Sequence, residues 1–203
     1  MKIATRNLLA EMMVEALDDP VAAAALCRLA ISCHTFDLGS ASERLRLPVA
    51  EEEYPAIVGR LHAFEAALAE WPDFTESIPE ETSRSRALRK GVLLFNHRLF
   101  FEVHEVLETQ WVRETGVEKQ FFQGLIQIAV AFHHLENCNL RGALALLHDG
   151  LEKIAPRQPE FLGVDLTEFV RDVEACRAEL LELGEARASE FRRERIPRLR
   201  MVR

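Results

Sequence analysis

Two apolar stretches in the middle of the chain carry polar side chains at spacings that favour chemistry. They run from Phe95 to Trp111 and from Phe121 to Leu135. Side chains three or four positions apart share one face of a helix, so each stretch would present its polar groups together. Polar groups inside apolar helices are costly to bury without partners. We therefore predict a ligand-binding site formed by Glu102, His104, Glu105, Glu108, Trp111, Gln123, Gln127 and His134.

The two predicted helices, Leu99–Trp111 and Lys119–Leu135, carry polar groups on faces that would suit one another. On the first, an apolar arc lies opposite a mixed face of carboxylates, an imidazole and aromatic rings, formed by Phe101, His104, Glu105, Glu108 and Trp111. The second is apolar almost all round, as expected of a core helix, apart from one line formed by Gln123, Gln127 and His134. Buried amides and imidazoles are nearly always hydrogen-bonded. We therefore expect this line to face the carboxylates of the first helix.

One interpretation of these residues is a metal site, and a divalent metal is the one cofactor that they suggest. His104 and Glu108 are spaced to bind one cation, and His134 would be a third ligand. Glu105 would either complete a set of four ligands or activate water in a metal-dependent hydrolase. The spacing lacks the second histidine of the His-Glu-x-x-His zinc motif, which counts against this interpretation.

The remaining hypotheses involve no metal. Glu105 or Glu108 would serve as a general base, although no cysteine or serine nucleophile lies beside either one. Alternatively, the polar groups form a satisfied hydrogen-bond network that holds the helices in register. Because so many polar groups on two facing helices exceed what packing requires, we favour a pocket that binds a small molecule or a peptide.

The motifs FFExHExLExxW and QGLIQ carry a resemblance to a known family. They span Phe100–Trp111 and Gln123–Gln127, and His134 and Asn139 follow at the expected places. Together they resemble domain of unknown function family 309 from about residue 85 to about residue 183, roughly half of the chain. The resemblance implies an all-helical fold without an assigned biochemical role, in which the polar residues above are the signature.

Two positions depart from the family pattern. Arg98 stands where the family usually has a turn glycine, and Cys138 stands where a glycine usually precedes Asn139. Both lie at expected turns between helices, so these departures concern the geometry of the turns and not the pocket. The segments Phe95–Leu107 and Leu135–Leu147 also have similar patterns, which suggests tetratricopeptide-like helical hairpins. The two segments are about forty residues apart, whereas tetratricopeptide repeats recur every ~34 residues.

Composition indicates an all-α multi-helix bundle. Alanine, leucine, glutamate and arginine dominate the 203 residues, and there is one tyrosine. The net charge is -8, which argues against broad nucleic-acid binding. Six arginines against one glutamate make residues 191–203 a basic tail, which is more often a solvated or frayed terminus than a binding element.

The compartment is predicted from cysteines and hydropathy. The four cysteines show no C-x-x-C spacing, which is typical of free thiols in a reducing environment. Glu11 and Glu15 interrupt the apolar run at the start, so it does not resemble a secretion signal. No apolar run is long enough to span a membrane. We expect a cytoplasmic protein.

Three regions are expected along the chain. Residues 1–80 would form an N-terminal segment of about three helices, residues 85–190 the signature helical domain, and residues 191–203 the basic tail. Within the first region we expect a loop from His34 to Pro48, because it holds glycine, serine and proline.

Helix ends are expected at two prolines and at one cap. Asp19 followed by Pro20 should begin a helix, with Asp19 as its N-cap and proline at the first helical position. The last helix of the first region should stop at Trp71, because the residue before a proline is pushed out of helical geometry. The polar stretch from Asp73 to Arg84 is the candidate boundary between regions. A capping-box-like pair, Asp165 and Glu168, should begin a long last helix that reaches about Phe191.

Overall fold

A computed structural model describes residues 1–34, 38–45, 50–75 and 82–202, and most of them are helical. Within these ranges the helices are α1 (Ile3–Ala16), α2 (Pro20–His34), α3 (Leu38–Leu45), α4 (Tyr54–Thr75), α5 (Ser83–Asn96), α6 (Phe100–Trp111), α7 (Gly116–Glu136), α8 (Leu140–Ile154) and α9 (Thr167–Arg187). Three two-residue strands, β1 (Glu160–Phe161), β2 (Val164–Asp165) and β3 (Arg200–Met201), form an antiparallel sheet in that order. The prediction of an all-α multi-helix fold is confirmed, whereas the tetratricopeptide-like detail stays a prediction.

Local capping explains where several helices begin. The Asp19 carboxylate accepts a hydrogen bond from the Val21 amide at 2.8 Å, directly before Pro20 opens α2. Thr82 accepts from the Ser85 amide at 3.1 Å at the start of α5. Such caps satisfy amides that have no partner inside the helix.

Two glycines allow α7 and α8 to pack with their backbones close together. A Cβ atom on Gly124 would lie 2.6 Å from a methyl carbon of Ile154 and 3.0 Å from the Gly150 carbonyl. A Cβ atom on Gly150 would lie 2.9 Å from the Gly124 carbonyl. The glycine of the QGLIQ motif is therefore required by packing, because any side chain there would push the two helices apart.

Phenylalanine rings form the centre of the core. Phe95 lies edge-on to Phe100, Phe132 and Phe169, with ring centroids 5.2, 6.0 and 5.5 Å away. Truncating one such ring to alanine typically costs about 3–5 kcal/mol. Phe64 of α4 belongs to the same core cluster. The N-terminal helices and the signature helices α6 and α7 therefore share one core, with α1 packed on α6 and α4 packed on α5.

Two expectations for the N-terminal segment were wrong. Helix α3 lies inside the expected loop, because Leu45 is fully buried and the helix packs on α1 and α2. Helix α4 continues through Pro72 to Thr75, since Trp71 and Phe74 on its last turn pack on the core. The described part of residues 1–80 thus holds four α-helices, and residues 76–81 of the expected boundary lie outside it.

The basic tail packs on the body and is not frayed over its described residues. Phe191, Ile196 and Leu199 alternate with the arginines and are buried. The Asn96 amide donates to the Leu199 carbonyl at 2.9 Å and accepts from the Leu199 amide at 2.9 Å. Strand β3 then pairs with β2. The expectation of a solvated terminus overlooked these apolar residues, whose burial favours docking.

The last helix is shorter than expected. It ends at Arg187 rather than near Phe191, and Gly184 inside it has a φ of 62°, which breaks the regular helix. Leu166 precedes the helix, while the Asp165 carboxylate accepts from the Thr167 amide at 2.9 Å. No helix among the described residues combines the length and the apolar character needed to cross a bilayer.

Candidate functional site

Glu102, at the start of α6, is a fully buried carboxylate paired with an arginine from the N-terminal segment. Its exposed fraction is 0%, and its Oε1 accepts a hydrogen bond from the Arg60 guanidinium on α4. Its Oε2 has no hydrogen-bond partner among the described residues. Burial raises the pKa of this carboxyl above its usual range, although the Arg60 charge acts in the opposite direction. The pair thus links α4 to α6 by a charge interaction inside the protein.

His133, on α7, is a half-buried imidazole that lies beside Arg6 of α1. Its Nε2 lies 3.5 Å from Nη1 of Arg6 and 3.3 Å from Nδ2 of Asn137. Burial, followed by the charge of Arg6, lowers the pKa of His133 to about 4. The imidazole is therefore neutral at pH 7. Because two donors face Nε2, we assign the ring proton to Nδ1.

The aromatic ring of Phe101 holds these groups in place. The Arg6 guanidinium lies 4.0 Å from the Phe101 ring centroid. The His133 and His104 rings lie 5.7 and 6.0 Å from the same ring. An arginine stacked on an aromatic face keeps its charge and loses conformational freedom. Arg6 of α1 is thereby positioned against α6 and α7.

Glu136, at the end of α7, lies on the other side of His133. Its Oε2 is 3.9 Å from His133 Nδ1, which is too long for a hydrogen bond. Burial raises the pKa of Glu136 to about 7, while the charges of Arg193 and Arg60 act to lower it. Close to neutral pH this carboxyl is thus only partly ionised.

A cavity of about 430 Å³ lies between α1, α4, the α5–α6 turn and the end of α7, and it is lined by Arg6, Arg60, His133 and Glu136 among others. We call it the arginine cavity, and its charged and imidazole side chains are Arg6, Arg60, His97, Arg98, His133, Glu136 and Arg193. Pro55, Ala56, Ala63 and Leu99 give it apolar walls. The volume falls within the range of small-molecule sites, ~300–1,000 Å³.

Of the eight predicted site residues, Glu102 reaches the arginine cavity through Arg60, and three others form a second group on α6. His104 Nδ1 lies 2.9 Å from Glu105 Oε1, and His104 Nε2 lies 3.7 Å from Glu108 Oε2. His104 and Glu105 are partly exposed and Glu108 is exposed. This group is therefore assembled as expected but lies nearer to the surface.

The other four predicted residues occupy different surroundings. Trp111 is stacked by Lys119, whose Nζ is 4.5 Å from the ring, and its Nε1 is buried without a hydrogen-bond partner among the described residues. Gln123 and Gln127 are half-buried, and Oε1 of Gln127 is likewise unpartnered there. His134 Nδ1 lies 2.9 Å from Nδ2 of Asn139 at the α7–α8 turn.

The proposed metal ligands are not gathered into one set. Within the described residues, a different group has its ligand atoms close together. His148, Asp149 and Glu152 of α8 have histidine and carboxylate ligand atoms within 4.8 Å of one another. His104, Glu108 and His134 do not meet that distance. Exposed acidic groups of this kind are common without an ion, so neither set establishes a metal centre.

Arg60 and His133 line the arginine cavity, and the sequence analysis selected neither of them. Arg60 is three positions after Ile57 and four before Phe64, both of which are buried in the core. A charge on the buried face of a helix requires a buried partner of opposite sign. The spacing of Arg60 from these two core residues could therefore have indicated a buried ion pair. His133 could not be told from His134 by periodicity alone, since both follow a run of apolar residues.

The two departures from the family pattern both lie in left-handed turns. Arg98 has a φ of 63° and Cys138 a φ of 57°, a conformation that favours glycine. Each follows the end of a helix and is closed by the same pair of backbone hydrogen bonds, which defines a Schellman motif. The turns expected at these residues are present, and Arg98 also brings a guanidinium into the arginine cavity.

Comparison with known proteins finds similarity to a family without an assigned role over part of the chain. Residues 88–146 match the family described as Domain of unknown function (DUF309). The uncharacterized protein YpuF of Bacillus subtilis (strain 168) is 35% identical over 71 residues, which cover 34% of this chain and 41% of that protein. The chain thus spans about two fifths of this curated relative. No solved structure matches the chain significantly. The resemblance to domain of unknown function family 309 is therefore confirmed, and residues 88–146 carry it.

Proposed function

We propose that this chain is a helical ligand-binding protein and that its ligand, a small molecule or the end of a peptide, occupies the arginine cavity. The observation that carries the proposal is the cavity itself, which combines apolar walls with convergent charged groups above the Glu102–Arg60 pair. Sites for small ligands are typically concave and apolar with a few placed polar groups. The predicted residue Glu102 belongs to this site through Arg60.

A glycine in the wall of the cavity supports this proposal. Gly59 lies inside α4, where glycine costs about 1 kcal/mol relative to alanine. A Cβ atom at Gly59 would meet no atom within 4 Å, whereas one at Gly91 would lie 2.8 Å from a Leu107 carbon. Packing therefore explains Gly91 but not Gly59. Gly59 is exposed and lines the arginine cavity, so glycine leaves room there that a larger side chain would occupy.

Polar atoms without protein partners give further support. Nε of Arg60, Nη1 of Arg98, Oε2 of Glu102 and Nδ1 of His133 are buried and have no hydrogen-bond partner among the described residues. Native proteins satisfy most buried polar groups, so several such atoms around one cavity call for an explanation. A polar ligand would supply partners to those that face the cavity.

The test is to fill the cavity without changing its charge. Gly59→Phe adds a ring where a Cβ atom has room, and Ala69→Phe adds the same ring to an exposed site ten residues further along α4. The full chain and both variants would be screened by thermal shift against small carboxylates, phosphates, amines, neutral polar compounds and short peptides. A ligand that binds only the native state raises the melting temperature.

We expect at least one class of compound to stabilise the parent chain and Ala69→Phe but not Gly59→Phe. Equal stabilisation of all three proteins would place the ligand elsewhere, and no stabilisation by any compound would remove the proposal. The metal-dependent hydrolase alternative is not carried forward, because no contact among the described residues joins His134 to His104 and Glu108.

A further inference from the structure

The arginine cavity is basic although the protein is acidic. Four guanidinium groups line it, those of Arg6, Arg60, Arg98 and Arg193, whereas Glu136 is the carboxylate among its lining residues. Glu102 lies beneath and is paired with Arg60. The whole chain carries a net charge of -8. A concentration of positive charge in one concave site of such a protein favours a negatively charged ligand.

Three of these guanidinium groups form no ion pair with a carboxylate in the part of the chain that the structure describes. Within the described residues, no carboxylate lies at ion-pairing distance from Arg6, Arg98 or Arg193. The nearby Glu136 is partly neutral, because burial raises its pKa to about 7. The cavity therefore retains an excess of positive charge after its internal pairs are counted.

Two of the three arginines are held in position before any ligand arrives. The Arg6 guanidinium rests 4.0 Å from the Phe101 ring centroid. Nη2 of Arg98 donates to the Ile196 carbonyl at 3.2 Å, while Nη1 is buried without a partner among the described residues. Guanidinium groups that are already oriented lose little entropy when they bind carboxylate or phosphate oxygens through paired hydrogen bonds.

We propose that the arginine cavity binds a small organic anion, whose carboxylate or phosphate oxygens contact Arg6, Arg98 and Arg193. This inference rests on the proposed function and specifies the chemical class of its ligand. Pro55, Ala56 and Leu99 would contact the carbon skeleton of the anion. A phosphate monoester, a small dicarboxylic acid and the free carboxyl end of a peptide share this chemistry, and binding measurements separate them.

The experiment measures binding of defined anions to the full chain by calorimetry at constant ionic strength. The probes are inorganic phosphate, succinate and N-acetylalanine, and the uncharged amide of N-acetylalanine is the matched neutral probe. We expect at least one of these anions to bind. If the carboxylate is the group recognised, the amide should bind at least about tenfold more weakly than N-acetylalanine, a difference in binding free energy of about 1.4 kcal/mol.

A pair of turn variants separates charge from backbone effects. Arg98→Gly removes the guanidinium and places glycine in a left-handed turn, whereas Cys138→Gly makes the same backbone change in the equivalent turn outside the arginine cavity. We expect Arg98→Gly to weaken binding of the anion by at least about tenfold and Cys138→Gly to leave it within about twofold. Arg193→Gln, at an exposed position, tests the charge again where folding is not at risk.

Each outcome decides between the inference and the proposed function. If only neutral or cationic compounds bind, and Gly59→Phe blocks them, the cavity binds a ligand but the anion inference fails. If no compound binds, both fail. If anions bind equally well to Arg98→Gly, Arg193→Gln and Gly59→Phe, the anion site lies elsewhere and the inference is overturned.

Discussion

The α5–α6 turn and the α7–α8 turn have the same backbone but different surroundings. In the first, the Arg98 amide donates to the Phe95 carbonyl at 3.0 Å and the Leu99 amide to the Leu94 carbonyl at 2.9 Å. In the second, the corresponding distances, from Cys138 and Asn139, are 3.1 and 2.9 Å. Forty residues separate the two turns, which agrees with the internal echo seen in the sequence.

The surroundings decide what each turn does. The first is covered by the C-terminal tail, whose Ile196 carbonyl binds Arg98, and it borders the arginine cavity. Cys138, in the second, is exposed and lines a different cavity of about 500 Å³ beside α9. A repeated local motif thus becomes charged and covered in one place and open in the other. The difference arises from distant segments of the chain and not from the turn.

The largest expected effect comes from removing the charge partner near the first turn. Arg60→Met should lower the free energy of unfolding by about 3 kcal/mol, because it leaves the fully buried Glu102 carboxyl without the guanidinium that compensates its burial. Urea denaturation followed by circular dichroism would measure the loss.

The matched control for this variant removes both charges. In Arg60→Met with Glu102→Gln, no charge is left buried at the pair, so a substantial part of the lost stability should return. If the double variant is as unstable as the single one, the loss comes from packing of the Arg60 side chain and not from an unpaired charge.

The pH dependence near the first turn should be the next largest effect. The folded-state pKa of Glu136 is raised from 4.5 to about 7, so the folded protein holds this proton more tightly and its contribution to stability is lost as pH rises through that range. The pKa of His133 is lowered from 6.5 to about 4, so its contribution to stability is lost as pH falls from 6.5 to about 4. In the parent chain the two groups therefore change the stability in opposite directions as pH changes.

Single substitutions should expose each slope. As pH rises from acidic to neutral values, the free energy of unfolding of Glu136→Gln should increase by about 2 kcal/mol relative to that of the parent chain, after allowance for partial exposure of Glu136. The free energy of unfolding of His133→Gln should increase relative to that of the parent chain as pH falls. Denaturation curves over this pH range test both, and parallel profiles for all three proteins would contradict the assignment of these groups.

The two turn asparagines offer a matched comparison of intermediate size. Asn96→Ala removes both hydrogen bonds to the Leu199 backbone, and we expect a loss of about 2 kcal/mol and faster tryptic cleavage at the tail arginines. Asn139→Ala removes the cap on the Gly142 amide, at 3.0 Å, and should cost about 1 kcal/mol without releasing the tail. Equal cleavage of both variants would show that Asn96 does not hold the tail.

The smallest expected effect is a gain of stability. Cys138→Gly relieves a left-handed non-glycine residue at an exposed turn, so the melting temperature should rise by the equivalent of up to about 1 kcal/mol. Arg98→Gly gains the same relief but loses the bond to the Ile196 carbonyl, so its net change should be smaller. A larger gain at Arg98 than at Cys138 would mean that the arginine contact contributes nothing to stability.

Local patterns were sufficient for much of the helical framework. The spacing of apolar residues predicted α6 and α7 to within a few residues of their observed ends, and Asp19 with Pro20 marked the start of α2. Those signals depend on neighbours within one or two helical turns. The same reasoning failed at α3 and at Pro72, because burial of Leu45 and Trp71 against other helices outweighed the local preference.

The candidate site was predicted only in part. Glu102 was chosen because a carboxylate in an apolar helix needs a partner, yet its partner Arg60 lies 42 positions away in a segment without a motif. His104, Glu105 and Glu108 were expected together and are together, since one helix face holds all three. His134 was preferred to His133, which the structure places beside Arg6 and Glu136.

By itself the sequence determined the helical class, the family resemblance of its central helices and the two turns, because periodicity and capping act over a few residues. Tertiary structure decided which groups share a cavity. Arg6, Arg60 and the tail meet near the α5–α6 turn, and Leu199 of the tail lies 103 residues along the chain from its partner Asn96. Such meetings depend on how the whole phenylalanine core packs, and no short stretch of residues contains that information.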